Sequence, residues 1–163
     1  MSFKVAAVPF HFWTPDVYQG APTPITAFMS TIVKTAAFAA FLRLFMNCFV
    51  GYGNLWTDII WALAALSILL GNITAVYQNN IKRMLAYSSI SHAGYMMLAI
   101  LTSGSTSAGA VLYYSAAYSV ASIGAFAVLT IIEKEKGEVT FDTLSGMARN
   151  NKLVAVGMTI SML

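Results

Sequence analysis

Lys34 makes the greatest demand on its surroundings. It lies near the middle of an apolar run, about Thr26 to Phe45, that is long enough to cross a membrane. An ammonium at that depth costs about 2.5–3.5 kcal/mol on insertion scales. Both ends of the run are too distant for the four-carbon stem to reach water easily, whereas Arg43, near one end, can snorkel. A lysine withdrawn from bulk water but touching an internal water path can take up and release protons near neutral pH, so proton transfer is the chemistry it suits. The rival reading is a structural lysine paired with a carboxylate on a neighbouring chain. Lys4 poses a related question. It sits in Phe3 to Phe12, an apolar stretch too short to span alone and interrupted by Pro9. Broken helices line hydrated cavities in transporters, although Lys4 also reads as a plain flanking cation. His92, inside the charge-free run Met84 to Ile132, has the side chain best suited to passing protons near neutral pH. Its neighbours Ser88, Ser89 and Ser91 equally suit a hydrogen-bonded packing histidine. His11 lies near the membrane surface and fits a helix end at least as well as a proton path.

Other chemistries find no residues here. Ser91 and His92 are adjacent, so on a helix their side chains diverge and form no nucleophile–base pair. No His, Asp, Glu or Cys cluster has metal-ligand spacing, and the single Cys48 excludes an internal disulfide. Gly20, Gly51 and Gly53 do not form a phosphate-cradling loop. Val50-Gly51-Tyr52-Gly53 repeats four residues of a potassium filter, but Phe49 stands where Thr is needed and no pore helix fits before it. The run Glu133 to Glu138 reads as a solvated face.

The elements that position these residues follow from composition. Of 163 residues, 58% are hydrophobic and 9% charged. Soluble domains carry about 25% charged residues, and disordered chains are poor in aromatics, so both classes are excluded. The net charge of +3 comes from scattered cations at the ends of apolar runs, a membrane-topology pattern and not a nucleic-acid footprint. The expected architecture is all-α: a polytopic transmembrane helical bundle with a broken first helix and about four to five spans. Trp13 to Pro24, holding Pro15, Pro22 and Pro24, is expected to be a surface loop with Trp13 and Tyr18 as interfacial aromatics. Spans follow at about Thr26–Phe45 and Ile59–Tyr77, separated by an Asn47–Thr57 loop. The stretch Met84–Ile132 is twice a span's length, and Thr102 to Ser107 divides it. Glu133 to Arg149 is a polar surface segment, and a last apolar run starts near Leu153. Lys82 and Arg83 lie two spans before Lys134, Lys136, Arg149 and Lys152, which puts both clusters on one side, cytoplasmic by the positive-inside rule. Close helix contacts are expected at Ala36, Ala37, Gly94, Ala117 and Gly124. Residues 1–163 read as a single membrane domain, truncated at both ends.

Two blocks carry a family resemblance. Phe3 to Gly20 reads F-K-V-A-A-V-P-F-H-F-W-T-P-D-V-Y-Q-G, followed by A-P-T-P, and Asn80 to His92 reads N-I-K-R-M-L-A-Y-S-S-I-S-H. Together they resemble the antiporter-like membrane subunits of respiratory complex I. Val17-Tyr18, where relatives tend to carry Ala-His, favours the subunit N branch. The resemblance implies that Lys4 is the lysine of the broken seventh helix, Lys34 that of the eighth, and His92 the histidine of the tenth. These groups, with His11, would lie on a hydrated path through mid-membrane. It further implies a proton-translocating subunit of NADH-quinone oxidoreductase in a bacterial inner membrane, embedded in lipid among the complex's other membrane subunits. This chain would bind no cofactor and hold no catalytic redox site. NADH, flavin, iron–sulfur clusters and quinone would belong to other subunits. A subunit of a multisubunit cation/proton antiporter, or a purely structural membrane subunit, is the alternative.

Overall fold

A computed structural model of the chain describes residues 1–102 and 105–163. All regular elements among them are helical. The chain opens with a single turn, α1 (Ser2–Val5), which stops at Ala6 in a left-handed conformation (φ 61°). An irregular segment leads into α2 (Trp13–Gly20). This corrects the expected surface loop. Pro15 falls in the first turn of α2, where its missing N–H would have no intrahelical partner anyway. Pro22 precedes α3 (Thr23–Phe28), and Pro24 lies in that helix's first turn. The prolines thus start helices instead of preventing them. Tyr18, expected at the interface, is 2% exposed.

The first full span runs without a break from Thr23 to Cys48. It comprises α3, a π-helical turn Met29–Val33, α4 (Lys34–Arg43) and a second π-helical turn Leu44–Cys48. The expected Asn47–Thr57 loop is shorter, because α5 (Gly53–Val76) begins at Gly53. The chain then turns into α6 (Ile81–Leu101), whose N-cap Asn80 accepts a hydrogen bond from the Arg83 N–H at 3.2 Å. α7 (Ser105–Lys136) follows; of the expected division at Thr102 to Ser107, Ser103 and Gly104 lie outside the described residues. Two short turns, α8 (Phe141–Leu144) and α9 (Met147–Asn150), make the polar segment irregular. Thr140 caps α8 through a reciprocal pair of hydrogen bonds with Thr143, and Asn151 caps α10 (Lys152–Met162). Among the described residues, four helices are long and apolar enough to cross a membrane.

α5 and α6 pack closely along their length because two glycines permit it. A Cβ on Gly94 would lie 2.7 Å from Ile68 Cγ1 and 2.9 Å from the Ala64 carbonyl oxygen. One on Gly71, a position not anticipated, would lie 2.8 Å from the Ser91 nitrogen. Gly124 likewise faces Ser161 of α10. The other side of α5 exposes Leu55, Ile59, Leu69 and Ile73, a row suited to hydrocarbon.

Among the described residues two large apolar cores result, beside a small cluster of Ala6, Val8 and Ile90. One gathers Phe38 and Phe41 of α4, Ile60 and Ala64 of α5, Ala93 to Ile100 of α6 and Val111 of α7. The other gathers Tyr18, Ile81 and Ala86 with Ala125 to Ile132 of α7 and Val154 and Met158 of α10. On α4, α6 and α7, the residues between these cores are Lys34, Ser89 to His92, and Tyr114 to Ser122.

Candidate functional site: a polar layer between two apolar cores

Lys34 is 3% exposed. Its ammonium donates to the Ser89 carbonyl oxygen at 2.6 Å and to the Ser89 hydroxyl at 3.0 Å. That hydroxyl donates in turn to the Ala86 carbonyl at 2.9 Å. Among the described residues the ion pairs are Lys82–Glu133 and Arg83–Asp16, so Lys34 is paired with no described carboxylate of its own chain. Lys34 is instead solvated by oxygen dipoles of a neighbouring helix. Local backbone helps to aim it. The π-helical turn Met29–Val33 ends immediately before Lys34, and such turns recur at functional positions. The side of the span leading to Lys34 is polar and buried through Thr23, Thr26, Ser30 and Thr31. The Ser30 and Thr31 hydroxyls both return to the Ala27 carbonyl, so the stripe is internally satisfied.

His92 sits three residues beyond Ser89 on α6. Its Nδ1 lies 2.7 Å from the Tyr114 hydroxyl. Its ring meets Tyr118 at a centroid separation of 4.9 Å, and Tyr95 and Tyr114 at 5.9 Å. The Tyr18 and Tyr118 hydroxyls lie beside the Ser89 side chain. Next to His92 opens a cavity of about 290 Å³, lined by Ser88, Tyr114, Tyr118 and Ser122 and reaching Ser161 of α10. Lys34 and His92 are therefore brought to one layer from different helices, each beside hydroxyls: Ser89 at Lys34 and Tyr114 at His92. Two nitrogen bases, an amine and an imidazole, set among serine and tyrosine hydroxyls are the kinds of group that proton transfer uses.

The other two candidates stand apart. Lys4 is exposed on α1, which packs on α4 through Val5 and on Trp13 through Phe3, and among the described residues no hydrogen bond or ion pair joins it to Lys34. The break after α1 is nevertheless tied into the bundle. The Val8 N–H donates to the Ser67 hydroxyl of α5 at 2.9 Å, and Trp13 Nε1 donates to the Phe3 carbonyl at 3.1 Å. His11 is half-buried in that segment; its Nδ1 and the Thr14 hydroxyl are buried without a hydrogen-bond partner among the described residues.

Sequence reasoning missed Ser89 as the lysine's partner and the tyrosines as the histidine's. The tyrosines left a signal, since Tyr114 and Tyr118 are polar groups four apart inside a charge-free run. Ser89 left none that distinguished it from Ser88 and Ser91. The cation positions behaved as the topology argument requires: α6 begins where α7 ends, and Lys82 meets Glu133 at 2.7 Å. Glu133 is thereby an exception to the solvated face expected of its segment, whereas Lys134 to Glu138 are exposed.

A bundle of apolar spans with a broken first helix and a lysine buried at mid-span defines a class of polytopic helical membrane protein that keeps a costly polar group inside. The particular family is clear: the chain belongs to the NADH:quinone oxidoreductase/Mrp antiporter transmembrane family, which it matches over residues 1–163. It is 49% identical to NADH-quinone oxidoreductase subunit N of Trichlorobacter lovleyi over 162 residues, 98% of this chain and 33% of that protein. It is 46% identical to the subunit of the same name from Moorella thermoacetica, over 99% of this chain and 34% of that one. Its fold matches a chain of respiratory complex I from Thermus thermophilus, solved with bound aureothin, with a TM-score of 0.82 at 42% identity, over 99% of this chain and 34% of that one. A chain of the Mrp complex from Dietzia matches with a TM-score of 0.90 at 26% identity, over 98% and 30%. The chain spans about a third of the length of the curated relatives it matches.

Proposed function

We propose that this chain is the central part of a subunit N-type protein of NADH-quinone oxidoreductase, and that it carries protons across the membrane while other subunits transfer electrons. One observation carries this reading: Lys34, buried at mid-span, is held by the oxygens of Ser89, and no described carboxylate of this chain pairs with it. A lysine locked in an ion pair is fixed in its charged form, whereas one held by neutral dipoles stays free to gain and lose its proton. The proton at Lys34 Nζ passes by way of the Ser89 and Tyr118 hydroxyls and the adjoining cavity towards His92. Lys4 serves on the other side of the helix break, where helices of the longer protein complete the path, and His11 with Thr14 supports that entry. The protein works in a bacterial inner membrane, surrounded by lipid and by the complex's other membrane subunits. NADH, flavin, iron–sulfur clusters and quinone are bound by those other subunits. The supporting identities are 42–49% to proteins of that type, against 26% to the Mrp chain, which favours the redox-linked reading over a cation/proton antiporter.

The test is substrate-driven proton pumping in inverted membrane vesicles, comparing the full-length protein with its Lys34→Ala variant. Quinone reduction is followed in parallel and assembly is checked by co-purification. Pumping is expected to collapse with the complex still assembled. Unchanged pumping and electron transfer would assign Lys34 a structural role and overturn the reading.

A further inference from the structure

The buried lysine is attached to α6 at one point, and the span that carries it is anchored at another. Lys82, at the start of α6, is 5% exposed although it is an ammonium near a helix end. It does not snorkel outward. Its Nζ donates to Glu133 Oε1 at 2.7 Å and to the Ala21 carbonyl at 3.2 Å, in the turn between α2 and α3. The other carboxylate oxygen of Glu133 accepts from the Thr23 hydroxyl. Thr23 is the first residue of the Lys34 span and is fully buried. Four chain segments therefore meet at one ion pair: the end of α2, the start of α3, the start of α6 and the end of α7.

The junction and the site both lie along the span and α6. Thr23 and Lys34 are eleven residues apart on the span, and Lys82 and Ser89 are seven apart on α6. At about 1.5 Å per residue these separations are roughly 16 and 10 Å, so the anchor, made through Glu133 of α7, and the direct Lys34–Ser89 contact are two successive attachments of the span. Between them on the span lies the π-helical turn Met29–Val33, a place where a helix readily changes its register. With the anchor fixed, a slip there is opposed. With the anchor cut, a slip of about 1 Å would break hydrogen bonds of 2.6 and 3.0 Å.

We propose that Lys82 and Glu133 form a clamp that sets the register of the Thr23–Cys48 span against α6 and α7, and so act as positioning residues for Lys34. The significance of the clamp for proton transfer rests on the proposed function above; its existence as a register device does not. The nearby Arg83–Asp16 pair, at 2.6 Å, is more exposed and ties only α2 to α6, so it has no part in the clamp.

The test reads register directly. Thr35, next to Lys34, has its hydroxyl 3.5 Å from that of Ser119 on α7, so Thr35→Cys with Ser119→Cys in the full-length protein forms a cross-linkable pair. Cross-linking in membranes, scored only on assembled complex, is compared with the clamp intact, with Glu133→Gln, and with Lys82→Met plus Glu133→Met. The double variant removes both charges and leaves neither buried alone. A slower cross-link in both variants is expected. In the same substitutions without the cysteines, protons pumped per quinone reduced should fall at least tenfold, since misplacement by about 1 Å can cost roughly a hundredfold in a positioned reaction. An unchanged cross-linking rate in the assembled double variant overturns the clamp, whatever Lys34→Ala does. A slower cross-link together with normal pumping in Lys34→Ala keeps the clamp and removes its proton role, which is failure of the other reading.

Discussion

Replacing Gly94 with alanine isolates what the close approach of α5 and α6 is worth. The added Cβ would meet Ile68 Cγ1 at 2.7 Å, the Ala64 carbonyl oxygen at 2.9 Å and the Ile68 nitrogen at 3.2 Å. Carbon atoms rest about 3.5–4.0 Å apart, so the helices must part by roughly 0.5–1 Å. Ile68 can turn its side chain, but the two backbone atoms cannot yield without moving α5. Overpacking of this kind costs about 1–3 kcal/mol. Against it stands the gain of about 1 kcal/mol that any interior helical Gly→Ala brings. Gly109 of α7 supplies the reference, because a Cβ there meets nothing within 4 Å. The propensity gain is common to both sites, so the difference between Gly94→Ala and Gly109→Ala is the packing cost alone, about 1–3 kcal/mol. Gly71→Ala should fall with Gly94→Ala, since its nearest neighbours, the Ser91 nitrogen and the Tyr87 carbonyl, are backbone. The assay is the temperature at which detergent-solubilised complex containing the full-length protein loses this subunit. Gly109→Ala should hold or raise it, and the other two should fall several degrees below Gly109→Ala, at roughly 2–4 °C per kcal/mol for a unit of this size. Equal midpoints for all three would refute the claim that α5 and α6 are held together through their glycines.

Two further outcomes follow from the hydrogen bonds. Ser67→Ala removes the acceptor of the Val8 N–H, at a cost of about 1–3 kcal/mol for a buried donor left unpaired. Hydrogen exchange of the peptide covering residues 3–12 should accelerate, and unchanged protection would show that Ser67 does not hold the helix break. Arg83→Ala cuts an exposed pair worth about 0–1 kcal/mol and should leave the amount of assembled complex nearly unchanged. Lys82→Ala should deplete it far more, because Glu133 loses a buried partner; equal losses would mean that burial does not separate the two pairs.

Much of the molecule was legible in its residues. The low charge and long apolar runs required membrane-spanning helices, since a bilayer admits only helices or closed barrels and runs of about 20 apolar residues have a helix's length. The cost of an ammonium singled out Lys34, and the family's two sequence blocks selected Lys4 and His92 beside it. Where reading failed, it failed for want of a third dimension. Prolines at 15, 22 and 24 looked like a loop because their density was weighed without helix phase, and only in the first turn of a helix is proline harmless. Ser89 could not be told from its neighbours, because which serine faces Lys34 depends on the rotation of α6 against α4. The pairing of Lys82 with Glu133 joins residues fifty-one apart, and Gly71 matters only because another helix passes over it. Residue type and order determined that this chain enters a membrane as helices and carries a buried lysine. How that lysine is held was decided by helix packing, because hydrogen bonds act over about 3 Å and sequence separation says nothing about such distances.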